Sequence, residues 1–194
     1  MKIKKLISAL VLGSMLVGLS GCNITDFSAE NLLRPPKAVG DEAEIEQLIA
    51  KTADSGYTLK YPKNGKFRSA IIMTDLDGND SNEAVAFFRN SAETSSVHML
   101  VMYSKDNSWE IVSDNIFETT DIDSVDFADL TGNGKAEIIV NSTTYTPNVG
   151  KLSCYSYSEG KTNEVGSGQS CSSFVTGDFD NDGTSEIMSL VLYT

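Results

Sequence analysis

Residues 178–186 read DFDNDGTSE, a stretch in which acidic side chains recur at every second or third position. Counted from Asp178, carboxylates stand at positions 1, 3, 5 and 9, and a glycine stands at position 6. Carboxylates this close repel one another unless an opposite charge lies between them. Two related stretches, DLDGNDSNE at 75–83 and DLTGNGKAE at 129–137, indicate that the arrangement is a repeated unit.

The sequences that flank the three loops repeat as well. Each loop follows a short apolar segment, and its final glutamate leads into a second β-rich segment. The loops begin at residues 75, 129 and 178, which are 54 and 49 residues apart, so one more strand hairpin fits between consecutive loops. The spacing predicts an all-β chain built from four-stranded units of about 50 residues, the size of a propeller blade.

The oxygen-bearing side chains of these loops suit a hard cation such as Ca²⁺, which takes several oxygen ligands. The predicted ligands are Asp75, Asp77, Asn79 and Glu83, then Asp129, Asn133 and Glu137, then Asp178, Asp180, Asp182 and Glu186. We expect metal occupancy to fall from the third loop to the first and then to the second. The second loop comes last because Thr131 replaces the acid at position 3. One isolated loop would fit a solvated turn almost as well, but three copies in register favour metal.

Two other calcium motifs do not fit the sequence. An EF-hand loop needs a glutamate at position 12 and helices on both sides, whereas position 12 is Ala86, Val140 or Ser189 and the flanks are strand-like. A glycine-dense nonapeptide series is also missing from the sequence.

The pattern D-x-[DNT]-x-[DN]-x-x-x-E between strands resembles the FG-GAP or VCBS-type repeat, a family that includes the calcium-binding blades of integrin α-chain propellers. The resemblance covers roughly residues 67–194, without the literal Phe-Gly and Gly-Ala-Pro motifs. It implies a β-propeller whose loops join the first two strands of each blade, hold structural calcium and serve adhesion or recognition outside the cell.

Closure of a propeller usually takes four to eight blades, and this sequence holds two repeats and the start of a third. We therefore expect a partial β-propeller that is the N-terminal piece of a longer protein. The alternatives are assembly of several chains into one ring, or an open stack of three sheets capped by a helix.

The N-terminal residues have the pattern of a targeting segment. A basic MKIKK and an apolar LISALVLGSMLVGL precede LSGC at 19–22, which resembles the lipobox of bacterial lipoprotein signals. The resemblance implies a signal peptide over 1–21 and lipidation of Cys22, and the alternatives are an ordinary secretory signal or an uncleaved anchor. Residues 22–40 are predicted to be a tether. Residues 41–66 are predicted to hold one short helix, at about 41–53 with a capping-box-like start at Asp41 and Glu44, and the first strand.

The formal net charge of −12 argues against nucleic-acid binding, which needs clustered basic residues. The lipid, rather than charge, is expected to hold the protein on the extracytoplasmic side of the bacterial cell membrane. Outside the cytoplasm, Cys154 and Cys171 could form a disulfide or stay as thiols, and the sequence leaves both open.

The expected function is that of a surface-anchored calcium-binding module for an extracellular protein or polysaccharide ligand. Enzymatic activity is not expected, because the sequence has no G-x-S-x-G or H-E-x-x-H motif. His98 is expected to pack at a strand edge, and Trp109 to fill space between blades rather than to form a recognition patch. The alternative is a set of non-catalytic blades from a larger polysaccharide-acting enzyme whose active site lies elsewhere.

Overall fold

The structure is a computed structural model that describes residues 40–53, 56–146, 148–158 and 160–192. The predicted signal peptide at 1–21, the lipidation site Cys22 and the tether up to residue 39 lie outside the described residues. Within the described ranges, no helix is long and apolar enough to span a membrane.

Helix α1 runs from Asp41 to Ala53, as predicted. Acidic residues occupy its first turn and Lys51 its last, which matches the helix dipole. Ile45, Ile49 and Ala53 recur at four-residue spacing and are fully buried. Glu44, the expected partner of Asp41 in a capping box, binds the first sheet: its Oε1 accepts hydrogen bonds from the N–H of Trp109 at 2.9 Å and the hydroxyl of Ser108 at 3.0 Å.

The first sheet is antiparallel and contains five strands. Its strands are β1 (Tyr57–Leu59), β2 (Ile71–Thr74), β3 (Glu83–Asn90), β4 (Val97–Lys105) and β5 (Ser108–Phe117). Strands β2 to β5 pair in chain order, and β1 pairs with the residues of β3 that lie beyond β2. The predicted first strand thus belongs to the same sheet as the first repeat.

The second sheet repeats this plan and the third element is a single hairpin. The second sheet comprises β6 (Ile122–Ala128), β7 (Glu137–Thr143), β8 (Gly150–Ser158) and β9 (Lys161–Cys171) in chain order. The hairpin is formed by β10 (Ser173–Gly177) and β11 (Glu186–Leu190). The prediction of a mostly β chain with one short helix is confirmed, and none of the sheets formed by the described residues closes on itself.

Three apolar clusters join these elements in order. The first packs α1 on the first sheet and includes Ile45, Ile49, Ala84, Ala86, Phe88, Leu100, Met102 and Trp109. The second lies between the two sheets and includes Ile72, Leu76, Val85, Phe87, Met99, Val125, Ile138 and Val140. The third joins the second sheet to the hairpin and includes Ile139, Leu152 and Cys171, with Phe174 and Ile187 packed against them. Each sheet is therefore apolar on both faces.

Candidate metal centre

Each of the three acidic loops connects the first two strands of its unit. The residue before each loop pairs with the final glutamate, as Thr74 with Glu83, Ala128 with Glu137 and Gly177 with Glu186. The prediction that each loop is entered and left by strands is confirmed, and the two strands are antiparallel in each case. The strand pairing holds the two ends of each loop next to each other. The side chains of one loop therefore lie close together.

All three loops share one backbone conformation. Positions 4 and 6 have positive φ in each loop, at Gly78 and Asp80, at Gly132 and Gly134, and at Asn181 and Gly183. Glycine adopts this conformation without strain, and Asn and Asp tolerate it better than other residues. This explains why the glycine moves between positions 4 and 6 in the sequence, a shift that the sequence pattern left without a reason.

The first aspartate of each loop holds the turn through backbone hydrogen bonds. Asp75 accepts from the N–H groups of residues 78, 79 and 80 at 2.8, 3.3 and 2.9 Å. Asp129 accepts from residues 132, 133 and 134 at 2.7, 3.2 and 2.7 Å. Asp178 accepts from residues 182 and 183 at 3.1 and 2.9 Å. These aspartates thus stabilise the loop itself, a role that the sequence pattern did not reveal.

The final glutamate of each loop closes it in the same way. Glu83, Glu137 and Glu186 each accept a hydrogen bond at 2.8 Å from the N–H at position 2 of their own loop. Glu83 and Glu137 are only 3% and 2% exposed, so they lie beneath the loop rather than in solvent. A buried carboxylate needs such partners because unpaired burial is costly.

Carboxylate oxygens converge in two of the loops. One oxygen each from Asp178, Asp180, Asp182 and Glu186 lie within 4.8 Å of one another, and so do oxygens from Asp75, Asp77 and Glu83. Asn79, the other predicted ligand of the first loop, accepts a hydrogen bond from the N–H of Ser81 at 2.7 Å.

The first loop is the most enclosed of these clusters. The Oδ1 atom of Asp77 is buried and has no hydrogen-bond partner. Burial raises the pKa of Glu83, and the negative charges of Asp77 and Asp75 raise it further. The hydrogen bond from the N–H of Leu76 acts in the opposite direction but does not outweigh them. Burial acts in the same direction on Asp75, but its backbone hydrogen bonds outweigh that effect and lower its pKa. Negative charge is therefore poorly compensated around Asp77 and Glu83.

The second loop closes through hydrogen bonds without a comparable cluster of acids. Asn133 accepts from the N–H of Lys135 at 2.8 Å, and Thr131 supplies a hydroxyl where the other loops have an aspartate. Burial would raise the pKa of Asp129, yet four backbone hydrogen bonds lower it overall. Asp129 and Glu137 are the two carboxylates among the predicted ligands of the second loop. Both already accept hydrogen bonds from backbone N–H groups.

Consecutive loops contact one another directly. The N–H of Ala136 donates to the carbonyl of Leu76 at 3.0 Å, and the N–H of Ser185 donates to the carbonyl of Asp129 at 2.8 Å. The residue at position 8 of one loop thus binds the backbone at the start of the preceding loop. The three loops form a continuous row that links both sheets and the hairpin.

The other residues singled out from the sequence have structural partners. His98 is buried against Phe88, its Nδ1 lies 2.9 Å from Asp114 and its Nε2 lies 3.1 Å from Glu93. Trp109 is buried as expected, but it packs under α1 rather than between sheets. Cys154 and Cys171 are both free thiols, and burial raises the pKa of each.

Comparison of the chain with protein-family models, with curated proteins and with solved structures found no match.

Proposed function

We propose that this chain is a calcium-binding β-repeat protein that acts as a binding or adhesion module outside the cytoplasm. The observation that carries the proposal is the convergence of carboxylate oxygens within 4.8 Å in two loops that share one backbone conformation. A structural turn needs the first aspartate and the final glutamate. It does not need negative charge at positions 3 and 5, because the second loop forms the turn with Thr131 and Asn133 there.

The chemistry of the donor set supports calcium rather than a transition metal. Every candidate ligand offers oxygen, and the described clusters contain neither histidine nor cysteine. Carboxylate and amide oxygens suit hard divalent cations, whereas sulfur and imidazole would favour zinc or copper. The unpartnered Oδ1 of Asp77 and the raised pKa of Glu83 both mark charge that a cation would compensate.

The continuous row of loops supports a stabilising role for the ion. A cation held by the first or third loop would fix a turn that is hydrogen-bonded to the next one. A ligand that binds only the folded state stabilises it by mass action. Extracellular calcium is sufficient for sites with a Kd of about 10⁻⁴–10⁻³ M. In this proposal calcium stiffens the stack from which other loops present a binding surface.

The proposed architecture is a propeller-type stack related to FG-GAP or VCBS repeats. Two antiparallel four-strand meanders, β2–β5 and β6–β9, each begin with an acidic loop between their first two strands, and β10–β11 begins a third unit in the same way. The resemblance to FG-GAP or VCBS repeats predicts this order of strands and loop in each blade. Lipidation at Cys22 would anchor the module to the bacterial cell membrane.

A non-catalytic role is supported by the environment of the chain's one histidine. Both ring nitrogens of His98 face carboxylates, and the ring is stacked on Phe88 at 4.7 Å. The partner of the module is proposed to be an extracellular protein or polysaccharide. Screening the calcium-loaded chain against glycan and protein arrays tests whether it binds such a partner. Enzymatic turnover of the same polysaccharides would contradict the non-catalytic role.

The calcium proposal is tested by counting bound ions with isothermal titration calorimetry and elemental analysis. Asp180→Asn combined with Asp182→Asn keeps the side-chain oxygens that accept backbone hydrogen bonds while removing two charges. We expect this variant to lose one calcium equivalent. Asp106→Asn, which removes an acid from the β4–β5 turn, is the matched control and should bind calcium like the wild type. Equal binding by all three proteins would contradict the proposal.

A further inference from the structure

The buried ring of His98 links the turn between β3 and β4, residues 91–96, to the first sheet. The Nδ1 atom lies 2.9 and 3.0 Å from the two carboxylate oxygens of Asp114 on β5. The Nε2 atom lies 3.1 Å from Oε2 of Glu93 in the turn. The ring also stacks on Phe88 of β3, with a centroid distance of 4.7 Å. One imidazole therefore contacts both neighbouring strands and the turn that precedes its own strand.

Two carboxylates at hydrogen-bond distance from one imidazole require two N–H donors. A neutral imidazole has one N–H and one lone pair, whereas the protonated ring has two N–H groups. Hydrogen bonds from Ser96 and from His98 lower the pKa of Glu93, so Glu93 holds a proton less readily than an ordinary glutamate. An imidazolium stacked on the ring of Phe88 also gains a cation–π attraction. The observed arrangement therefore requires the protonated form of His98.

The two carboxylates differ in how firmly they bind the ring. Asp114 places both oxygens at Nδ1, whereas Glu93 places one oxygen at Nε2. The side chain of Glu93 is 44% exposed and that of Asp114 is 29% exposed. When the ring gives one proton to water, the nitrogen that loses it presents a lone pair to a carboxylate oxygen, and the two repel each other. Because Glu93 reaches solvent more easily, we expect Nε2 to lose the proton and Nδ1 to keep its proton with Asp114.

Glu93 connects the turn to the sheet. Its Oε2 accepts a hydrogen bond from the hydroxyl of Ser96 at 2.5 Å, and its backbone N–H donates to the carbonyl of Asn90 at 3.0 Å. Residues 91–95 are exposed. The contact with His98 joins the middle of this exposed turn to a buried side chain of β4.

The same turn lines an open groove. Residues 92–96 border the groove together with Ile116, Glu118 and Tyr145. Ile116 and Tyr145 are 58% and 94% exposed, so an apolar and an aromatic side chain are accessible there. A movement of the turn would change the width of the groove beside these two side chains.

We propose that His98 is a pH-sensitive latch for the β3–β4 turn. The protonated ring holds Glu93 against the sheet, and the neutral ring releases Glu93 to solvent and frees the turn. Histidine ordinarily changes its charge between about pH 5 and 8, so the turn is ordered on the acidic side of this range and flexible on the basic side. The latch depends neither on calcium nor on the identity of a ligand.

The surrounding ionisable groups do not substitute for the ring in this range. Among the described residues, the charged groups that contact the imidazole are Glu93 and Asp114. Carboxylates, lysine, arginine and tyrosine ordinarily titrate below about pH 5 or above about pH 9. The ionisable side chains on the adjoining elements are Glu46 and Lys51 of α1, Tyr57 of β1, Arg89 of β3 and Glu118 after β5.

Nuclear magnetic resonance of the full chain between pH 5 and 9 tests the latch, because the one histidine gives a single set of ring signals. We expect the ring to titrate, and the amide order parameters of residues 92–96 to fall from about 0.85 toward about 0.6 with the same midpoint. At the basic end, the ring nitrogen shifts should place the proton on Nδ1. A ring that titrates while the turn stays unchanged would overturn the inference. So would a ring that keeps one charge state throughout, or a neutral ring with its proton on Nε2.

Two variants of exposed acids separate the latch from general charge repulsion. The amide of Glu93→Gln can accept a hydrogen bond from a protonated Nε2 or donate one to a neutral Nε2. Its turn should therefore keep high order parameters across the pH range. Glu118→Gln, which removes an acid from the same groove, is the matched control and should respond to pH like the wild type. A pH response retained by Glu93→Gln, or lost in Glu118→Gln, would overturn the inference.

Discussion

The α-carbon of Gly78 faces the carbonyl oxygen of Gly134, so closely that a Cβ on residue 78 would lie 2.6 Å from that oxygen. Gly78 belongs to the first acidic loop and Gly134 to the second, and both have positive φ. The close approach depends on glycine, and it places one loop directly on the next.

Replacement of Gly78 by alanine tests this contact. The left-handed backbone alone costs an alanine about 1–2 kcal/mol, and the contact with a backbone oxygen adds about 1–3 kcal/mol by overpacking. Gly134→Ala is the matched control, because it has similar φ but nothing within 4 Å of the added Cβ. Chemical denaturation should show a larger loss of unfolding free energy for Gly78→Ala than for Gly134→Ala. Equal losses would show that the two loops are not in steric contact at residue 78.

The second loop offers a gain-of-function test. Thr131→Asp places an acid at position 3, where the other loops have Asp77 and Asp180. We expect one additional calcium equivalent in calorimetry, and lower stability than wild type in chelator because the new charge adds repulsion. Thr94→Asp adds the same charge at an exposed position outside the loops and should change neither quantity. An unchanged stoichiometry in Thr131→Asp would mean that position 3 does not decide occupancy.

The closing glutamate of the second loop can be tested without metal. Glu137 is buried and accepts the Leu130 N–H at 2.8 Å. Glu137→Ala leaves that donor without its charged partner and should reduce the free energy of unfolding by about 1.5–3 kcal/mol. Glu137→Gln keeps an acceptor oxygen and should lose less. Urea unfolding in chelator measures the stability of both variants. Identical losses of unfolding free energy would show that the hydrogen bond to Leu130 does not stabilise the protein.

Acid stability should depend on Asp121, which lies between Lys60 at 2.7 Å and Lys63 at 3.1 Å. Burial raises the pKa of Asp121, but hydrogen bonds from both lysines outweigh it and the net pKa is lowered. A lowered folded-state pKa gives stability that is present above the ordinary aspartate range and is lost as the pH falls through the folded value.

Asp121→Asn should therefore be less stable than the wild type at pH 7 by about 1 kcal/mol, given its partial exposure. The difference should shrink below about pH 4, where Asp121 of the unfolded chain takes up a proton, and should disappear below the lowered pKa of the folded state. Unfolding curves between pH 2 and 7 measure this, and a difference that stays constant with pH would contradict the assignment.

Much of the fold could be predicted from local patterns. The three DxDxDxxxE-like loops mark the turns between strands, and the i, i+4 spacing of Ile45 and Ile49 marks the helix face. The Asp106–Asn107 turn also follows from residues that favour positive φ. These features depend on neighbours in sequence, which is why the sequence reveals them.

The features that escaped prediction depend on contacts between distant segments. The attachment of β1 to β3 requires the pairing of Tyr57 with Asn90. The burial of Trp109 under α1 and its bond to Glu44 join residues 65 positions apart. The row of loops rests on Ala136 binding Leu76. A pattern of residue types cannot specify which of several apolar faces meet.

Occupation of the acidic loops by a divalent ion can be measured by thermal unfolding of one preparation in chelator and in millimolar calcium. We expect a higher melting temperature with calcium for the wild type, and a smaller difference between the two conditions for the Asp180→Asn, Asp182→Asn variant. Superimposable unfolding curves in chelator and calcium, with no ion found by elemental analysis, would contradict it.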